Sequence, residues 1–361
     1  SFSLTGTVVE QFKLYAPEVL DSFRELVKTG CVELLCETYS HSLAALSSKE
    51  DFTEQVKAHM AMLKKEFGVK PKAFRNTELI YSDEIGEAVG ELGFKTMLAE
   101  GAKHILGWKS PDFVYAGAAD QSLRLLLRNY KLSDDLTFKF SCKEWNEYPL
   151  TADKYAEWIE GSTGETVNIC VDYSTFGIAN EAPSGIFEFV KALPAAIFAR
   201  GMEFDTISSS ADKNQPIGVL SCPYPISWTD EERDTTAWLG NELQTEAFNK
   251  LYSVAERIML TDDKKLKQDF DYLQAAENLR FMTTKQNGII TERCIYESPY
   301  DAFTNYMNIL GDFLARVRAQ YPDMDNEELG SLQQMIDNQE VEIIQLEAEV
   351  EQLKAKLGAM G

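Results

Sequence analysis

Residues 73–101, "AFRNTELIYSDEIGEAVGELGFKTMLAEG", read as strand, helix and strand in turn. The first run ends in the carboxylate of Glu78, an amphipathic segment fills Ser82–Gly93, and a second apolar run starts at Thr96. Two strands joined through a helix lie parallel, so this stretch predicts a parallel sheet with helices outside and function at the carboxyl ends of its strands. Glu78 sits at such an end. An ionised acid there is costly unless it is hydrogen bonded or used, because leaving water disfavours the charge. Asn76 and Thr77 are the donors at hand, and from these residues alone a structural network and a catalytic group are equally good accounts of Glu78.

The same alternation extends to both sides. "SFSLTGTVVEQF" from Ser1 predicts a strand running into a helix, "APEVLDSFRELVKTG" (16–30) a helix stopped by glycine, and "CVELLCETY" (31–39) a buried strand. In "SKEDFTEQVKAHMAMLKKEFG" (48–68), Ser48 is a capping residue and Phe52, Val56, Met60 and Leu63 share one helical face. "VNICVDYS" (167–174) predicts another hydrophobic strand ending in an acid, Asp172, which either acts chemically or is held by Tyr173 and Ser174; the helix "SGIFEFVKALPAAIFARG" (184–201) follows. Beyond about residue 228 the pattern turns helical. The expected architecture is an α/β barrel over 1–225, a helical subdomain over 226–322 and a tail over 323–361. In the tail, Leu329, Ile336, Ile343, Val350 and Leu357 occupy heptad position a, with Leu332, Gln339, Leu346 and Leu353 at d. Branched residues at a with leucine at d favour a parallel two-stranded coil, so a homodimer through residues 329–357 is expected.

Composition narrows the function. With 361 residues, 44% of them hydrophobic, the chain can bury a large core. Its 58 acids against 35 bases give a net charge of −23, a field that repels phosphate backbones and anionic lipid, so nucleic acid and membranes are not expected partners. The six cysteines form no CxxC pair and have three histidines to help them, the pattern of reduced, mostly buried thiols in a cytoplasmic protein. No metal or cofactor is implied. The chain opens at Ser1, without Met, directly in a strand-like run, so a preceding segment is expected and export stays open. In "KLSDDLTFKF", Asp134 and Asp135 are expected to cap a structural loop rather than to act in catalysis.

"KAFRNTELIYSDEI" (72–85) resembles the nucleophile region of α-amylase-type members of glycoside hydrolase family 57, and "VNICVDYSTFG" (167–177) resembles their acid/base region. "CETYSHSLAAL", "LAEGAKHILGWKSP", "LLLRNYKLSDDLTFKFS" and "YPISWTDEERDTTAWLGNELQTEAFNKLY" extend the resemblance, in order, to about Tyr306. It implies a (β/α)7-type barrel with a helical C-terminal region that acts on α-1,4-glucans with retention of configuration, Glu78 as nucleophile and Asp172 as general acid/base. Glu37 and His41 are then candidates for holding sugar hydroxyls, and Trp108, Trp228 and Asp230 for lining the cleft. The expected partner is glycogen, starch or a maltooligosaccharide.

The departures from the family pattern keep other readings open. A His-Gln-Pro strand is expected upstream of Ser1; Ser174 stands where a glutamate is usual; Ile178, Ala179 and Asn180 replace Glu-His-Gln; and "ITERCIYESPYDAF" lacks its histidine. Besides a retaining hydrolase, a 4-α-glucanotransferase and an impaired amylase-like protein that binds glucan or assembles through its coil remain in view. A deacetylase on a related barrel needs an Asp-His-His metal set that His41, His59 and His104 do not build.

Overall fold

Thr5 decides where the first helix starts. Its hydroxyl accepts a hydrogen bond from the Val8 amide (3.1 Å), so the expected strand at the N-terminus gives way to α1 already at Gly6. A computed structural model describes residues 1–285 and 294–320. In chain order its elements are α1 (Gly6–Tyr15), α2 (Pro17–Lys28), α3 (Lys49–Phe67), β1 (Ala73–Arg75), α4 (Asp83–Glu91), β2 (Thr96–Glu100) and α5 (Lys103–Leu106). They continue with β3 (Tyr115–Gly117), β4 (Arg124–Arg128), α6 (Tyr130–Asp134), α7 (Ala152–Glu160), α8 (Ile186–Ala199), α9 (Ile207–Lys213) and β5 (Val219–Leu220). The remainder is helical: α10 (Thr236–Leu239), α11 (Glu242–Tyr252), α12 (Ala255–Leu260), α13 (Lys264–Leu273), α14 (Ala276–Arg280) and α15 (Pro299–Gln320). The chain divides into two compact units, Ser1–Asn308 and Ile309–Gly361. The proposed coiled coil over 329–357 lies outside the described residues.

β1, α4 and β2 form the unit read from residues 73–101. β1 pairs in parallel with β2, Ala73 opposite Thr96, and β2 with β4, Thr96 opposite Arg124. Every residue of β2 is buried, as expected of a strand covered on both faces. β4 pairs antiparallel with β3, and β3 parallel with β5, giving one mixed sheet in the order β1-β2-β4-β3-β5. Single parallel bridges continue the run outward, Cys36 to Phe74, Phe2 to Leu34 and Arg128 to Asn168. Regular ladders therefore cover five strands among the described residues, fewer than a seven-stranded barrel needs.

The segment 167–174 shows why. Asn168 Nδ2 donates to the Leu127 carbonyl (3.0 Å), the Cys170 amide donates to Ser133 Oγ (3.1 Å), and Arg128 Nε donates to the Cys170 carbonyl (2.9 Å). Side chains take the bonds a neighbouring strand would make, and the hydrophobic run stays extended without forming a ladder. Helix boundaries follow the sequence more closely. Ser48 caps α3 through the Asp51 amide (3.2 Å), and Gly68, at φ 70°, ends it in the left-handed conformation glycine favours. Phe52, Val56 and Leu63 are buried on its inner face, where His59 joins them; Met60 is only half-buried.

Two smaller expectations change. Asp134 and Asp135 do not cap a loop: Asn129 caps α6, while Asp134 accepts from Arg128 Nη2 (2.6 Å) and also from Arg233. The cysteines are all free, but only Cys36 and Cys222 are buried, whereas Cys31 and Cys294 are exposed. Among the described residues no helix is long and apolar enough to cross a membrane.

Candidate active site

Glu37, His41, Arg75, Glu78, Asp172 and Glu277 line one open groove of about 1140 Å³. Glu37 and His41 follow the bridge at Cys36, Glu78 follows β1, and Asp172 follows the bridge at Asn168, so these four stand beyond the carboxyl ends of the parallel run. Glu277 comes from α14. The chain after Cys36 reaches it through an antiparallel bridge between Ser42 and Ala275 and through the Ala276 amide, which donates to the His41 carbonyl (3.0 Å).

Glu78 is held in a left-handed backbone conformation, φ 53° and ψ 28°; Leu79 has φ 55° and His41 φ 54°. Such a conformation in a non-glycine residue costs about 1–3 kcal/mol and persists where the surroundings impose it. Here they do. Tyr81 and Ile226 exchange backbone hydrogen bonds (3.0 and 2.9 Å), which lays residues 226–229 beside the Glu78 turn. Trp228 Nε1 then donates to Glu78 Oε2 (2.6 Å), with Thr229 Oγ1 at 3.4 Å from the same oxygen. The donors expected from the local sequence are occupied elsewhere: Asn76 Nδ2 serves the Ile80 carbonyl, and Thr77 Oγ1 pairs with Thr38 Oγ1.

Three charges meet around one imidazole. His41 Nε2 lies 3.3 Å from Glu78 Oε1, and its Nδ1 lies 2.7 Å from Glu277 Oε1. Burial disfavours the imidazolium, yet Glu277, Glu78 and Glu37 outweigh it and push the His41 pKa up to about 10. At neutral pH His41 is a cation. Burial pushes the Glu78 carboxyl upward; His41 and Arg75 pull against this while the Asp172 and Glu277 charges add to it. The net direction is upward, with burial the largest cause. Glu277, with its side chain 45% exposed, is held below the ordinary carboxylate range, His41 outweighing its burial. His41, Glu78 and Glu277 offer ligand atoms within 4.8 Å of one another. A metal would have to displace the proton that the two carboxylates hold on His41, so the trio is better suited to an ion pair.

Of the residues singled out in the sequence, Glu37, His41, Glu78 and Asp172 share the groove. Glu37 is buried, accepts from Ser3 Oγ (2.6 Å) and lies 3.6 Å from Arg75 Nη1. Trp228 is buried under Glu78 with its ring against the Arg128 guanidinium (5.2 Å), so it holds the acid rather than offering a face to a sugar. Asp230 lies off the groove, paired with Arg280 Nη2 (3.3 Å) and Lys285 Nζ (3.4 Å). Trp108 is 93% exposed and does not line the groove. Glu277 was missed. In the sequence it is an acid in the first turn of a short helix, a position that dipole effects explain without function.

Residues 1–223 match the profile of Glycosyl hydrolase family 57. The chain belongs to glycosyl hydrolase family 57. It is 42% identical over 328 residues, 87% of its own length and 70% of the other's, to a Methanocaldococcus jannaschii protein named "Putative alpha-amylase". In fold it resembles the 4-alpha-glucanotransferase of Thermococcus litoralis (TM-score 0.61, 14% identity), covering 77% of this chain and 48% of that one. It also resembles the branching enzyme of Thermococcus kodakaraensis (TM-score 0.60, 16% identity), covering 87% of this chain and 74% of that one. The family 57 chain thus spans about half the length of the glucanotransferase.

Proposed function

We propose that this family 57 chain is a retaining glycoside hydrolase for α-1,4-glucans such as glycogen, starch or maltodextrin, with Glu78 as nucleophile and Asp172 as general acid/base. The observation that carries the proposal is the setting of Glu78. Its backbone conformation is unfavourable, its Oε2 is held by the Trp228 indole, and two cations, His41 and Arg75, oppose its burial in a groove it shares with Asp172. Retention requires two carboxyl groups on opposite sides of the scissile bond, about 5–5.5 Å apart. Oε2 is held by the Trp228 indole at 2.6 Å, whereas Oε1 faces the His41 imidazole at 3.3 Å, so Oε1 is the less tightly held oxygen and the one assigned to attack the anomeric carbon. As that bond forms, the glycosidic C–O bond breaks and Asp172 passes its proton to the leaving oxygen. An acceptor hydroxyl then gives its proton to Asp172, attacks the same carbon and releases Glu78.

His41 and Arg75 favour the ionised form of Glu78 against its burial, and the half-exposed Glu277 is the neighbouring acid best placed to meet a sugar hydroxyl. Whether the acceptor is water or a second glucan is the choice between hydrolase and glucanotransferase, and both run through the same covalent intermediate. We also read the parallel run from Phe2 to Asn168 as an arc of the family barrel, its ends brought together where Phe2 stacks on Tyr173 (centroids 6.4 Å apart).

The test compares the purified chain with Glu78→Gln on maltooligosaccharides and glycogen. Turnover is expected to fall about 10³-fold or more while glucan binding persists, and the first product seen by NMR is the α-anomer. Products longer than the substrate would assign the transferase. Equal rates in both proteins would remove Glu78 as the nucleophile, and binding without turnover in either would replace catalysis by glucan binding or assembly.

A further inference from the structure

A second cavity, of about 600 Å³, is built from α3, α12 and α13. Its size falls within the roughly 300–1,000 Å³ of ordinary ligand sites. Asp51 and Gln55 enter it from α3 and are 5% and 4% exposed; Phe270 and Asp271 enter from α13, and Tyr39 from the loop before α3. Gln55 Nε2 donates to Asp271 Oδ1 (2.9 Å), and Gln55 Oε1 accepts from the Ser40 amide (3.0 Å). Asp51 Oδ2 is buried and makes no hydrogen bond of good geometry, although the Gln274 amide lies near enough to pull the Asp51 pKa down against its burial. A buried acceptor left unpaired costs about 1–3 kcal/mol, a cost that a donor brought by a ligand removes.

This cavity and the catalytic groove share a wall. Along one loop Tyr39 faces the second cavity while Glu37 and His41 face the groove; along α13, Asp271 faces the second cavity and Tyr272 the groove. Between them Glu10 of α1 accepts hydrogen bonds from two phenols, Tyr39 at Oε1 and Tyr272 at Oε2 (2.7 Å for the latter). One carboxylate therefore clasps the partition.

We propose that the second cavity is a distal binding site for an α-glucan chain, continuous with the catalytic groove past the Tyr39–Glu10–Tyr272 clasp. For the nature of its ligand the proposal rests on the glucan-active reading of Glu78 and Asp172. Vicinal hydroxyls of a glucose unit can donate to the unpaired Asp51 oxygen and to Asp271, which Gln55 holds in place, and the Tyr39 ring offers an apolar face to sugar C–H groups. An anion is the poorer guest. Of the three lining lysines, Lys49 and Lys57 are paired with Glu91 (2.6 Å) and Glu54 (2.9 Å), Lys267 donates to the Met259 carbonyl (3.3 Å), and the buried wall presents carboxyl groups.

The test uses the full chain carrying Glu78→Gln, so that substrate is not consumed, titrated calorimetrically with maltotriose and maltoheptaose. Adding Asp51→Asn is expected to raise the Kd for maltoheptaose about tenfold and to leave maltotriose, which the groove alone can hold, unchanged. Asp271→Asn replaces it if Asp51→Asn does not fold, with the same expectation. Both sugars binding with unaltered Kd would overturn the distal site and leave the catalytic reading standing. Binding of neither sugar would overturn both. An inactive wild-type chain whose maltoheptaose binding still depends on Asp51 would support the distal site and remove the catalytic assignment.

Discussion

At the residue scale the site is organised by His41, a single imidazole shared between a proposed nucleophile and an acid from the far end of the chain. Because Glu277 supplies the largest attraction for its proton, removing that charge must lower the His41 pKa. An imidazole NMR titration of the wild-type chain is expected to place His41 near 10; in Glu277→Gln the midpoint moves down by about one unit or more. A midpoint unchanged by Glu277→Gln would show that Glu78 and Glu37 alone hold the proton. Glu78 was conspicuous as an acid beyond a strand end, and His41 became a candidate only through the family resemblance; the structure brings both into one groove. Glu277 was not legible in the sequence: the bond that gives it meaning spans 236 residues and is set up by backbone pairing at Ser42 and Ala275. Trp228 was legible as a residue but not in its role, since only the pairing of Tyr81 with Ile226 turns its indole under Glu78 rather than toward a sugar.

At the element scale the clasp depends on how closely α1 approaches the loop after Cys36. Gly6 donates its amide to the Tyr39 carbonyl (2.7 Å), and a Cβ at this position would run into the Tyr39 ring, well inside van der Waals contact. Gly6→Ala is therefore expected to destabilise the fold by about 1–3 kcal/mol through overpacking, read as a lower urea midpoint with unchanged slope. In a Tyr39→Ala background, where the ring is gone, the same substitution should cost much less, and that non-additivity separates a steric origin from a loss of helix start. The helices were readable for local reasons, since Ser48 and Gly68 state the ends of α3 in the sequence itself. The segments around 31–39 and 167–174 were not, because their backbone groups are met partly by isolated bridges and by side chains such as Ser133 and Arg128, which no periodicity reports.

At the scale of the whole molecule, a chain of net charge −23 has buried several acids against the general preference for water. Burial raises Asp51, Glu100 and Asp271 to about 7, Glu100 despite Arg128 at 3.2 Å. A carboxyl whose folded pKa lies above its unfolded value stabilises the fold fully below the unfolded value, and the contribution is lost as pH rises through the folded one. All three therefore withdraw stability between about pH 4 and 7. His41, unfolded near 6.5 and folded near 10, withdraws its share above that, as pH rises through 10. His59 and the Ser1 amino group, both lowered chiefly by burial, work the other way as pH falls below their ordinary values, while Glu78, raised chiefly by burial, adds to the three carboxyls. Glu66, Asp120, Asp205 and Glu277, all lowered, have delivered their stability once the pH exceeds the ordinary carboxylate range. The melting temperature is thus expected to peak near about pH 5 and to fall steadily toward pH 9. Asp271→Asn removes one of the three carboxyl terms, at the C-terminal end of α13 where the helix dipole also disfavours an anion. It should raise the melting temperature at pH 8 by about 1–3 °C and leave it unchanged at pH 4, flattening the curve between. A gain that is the same at both pH values would mean that Asp271 costs stability through packing rather than through its charge.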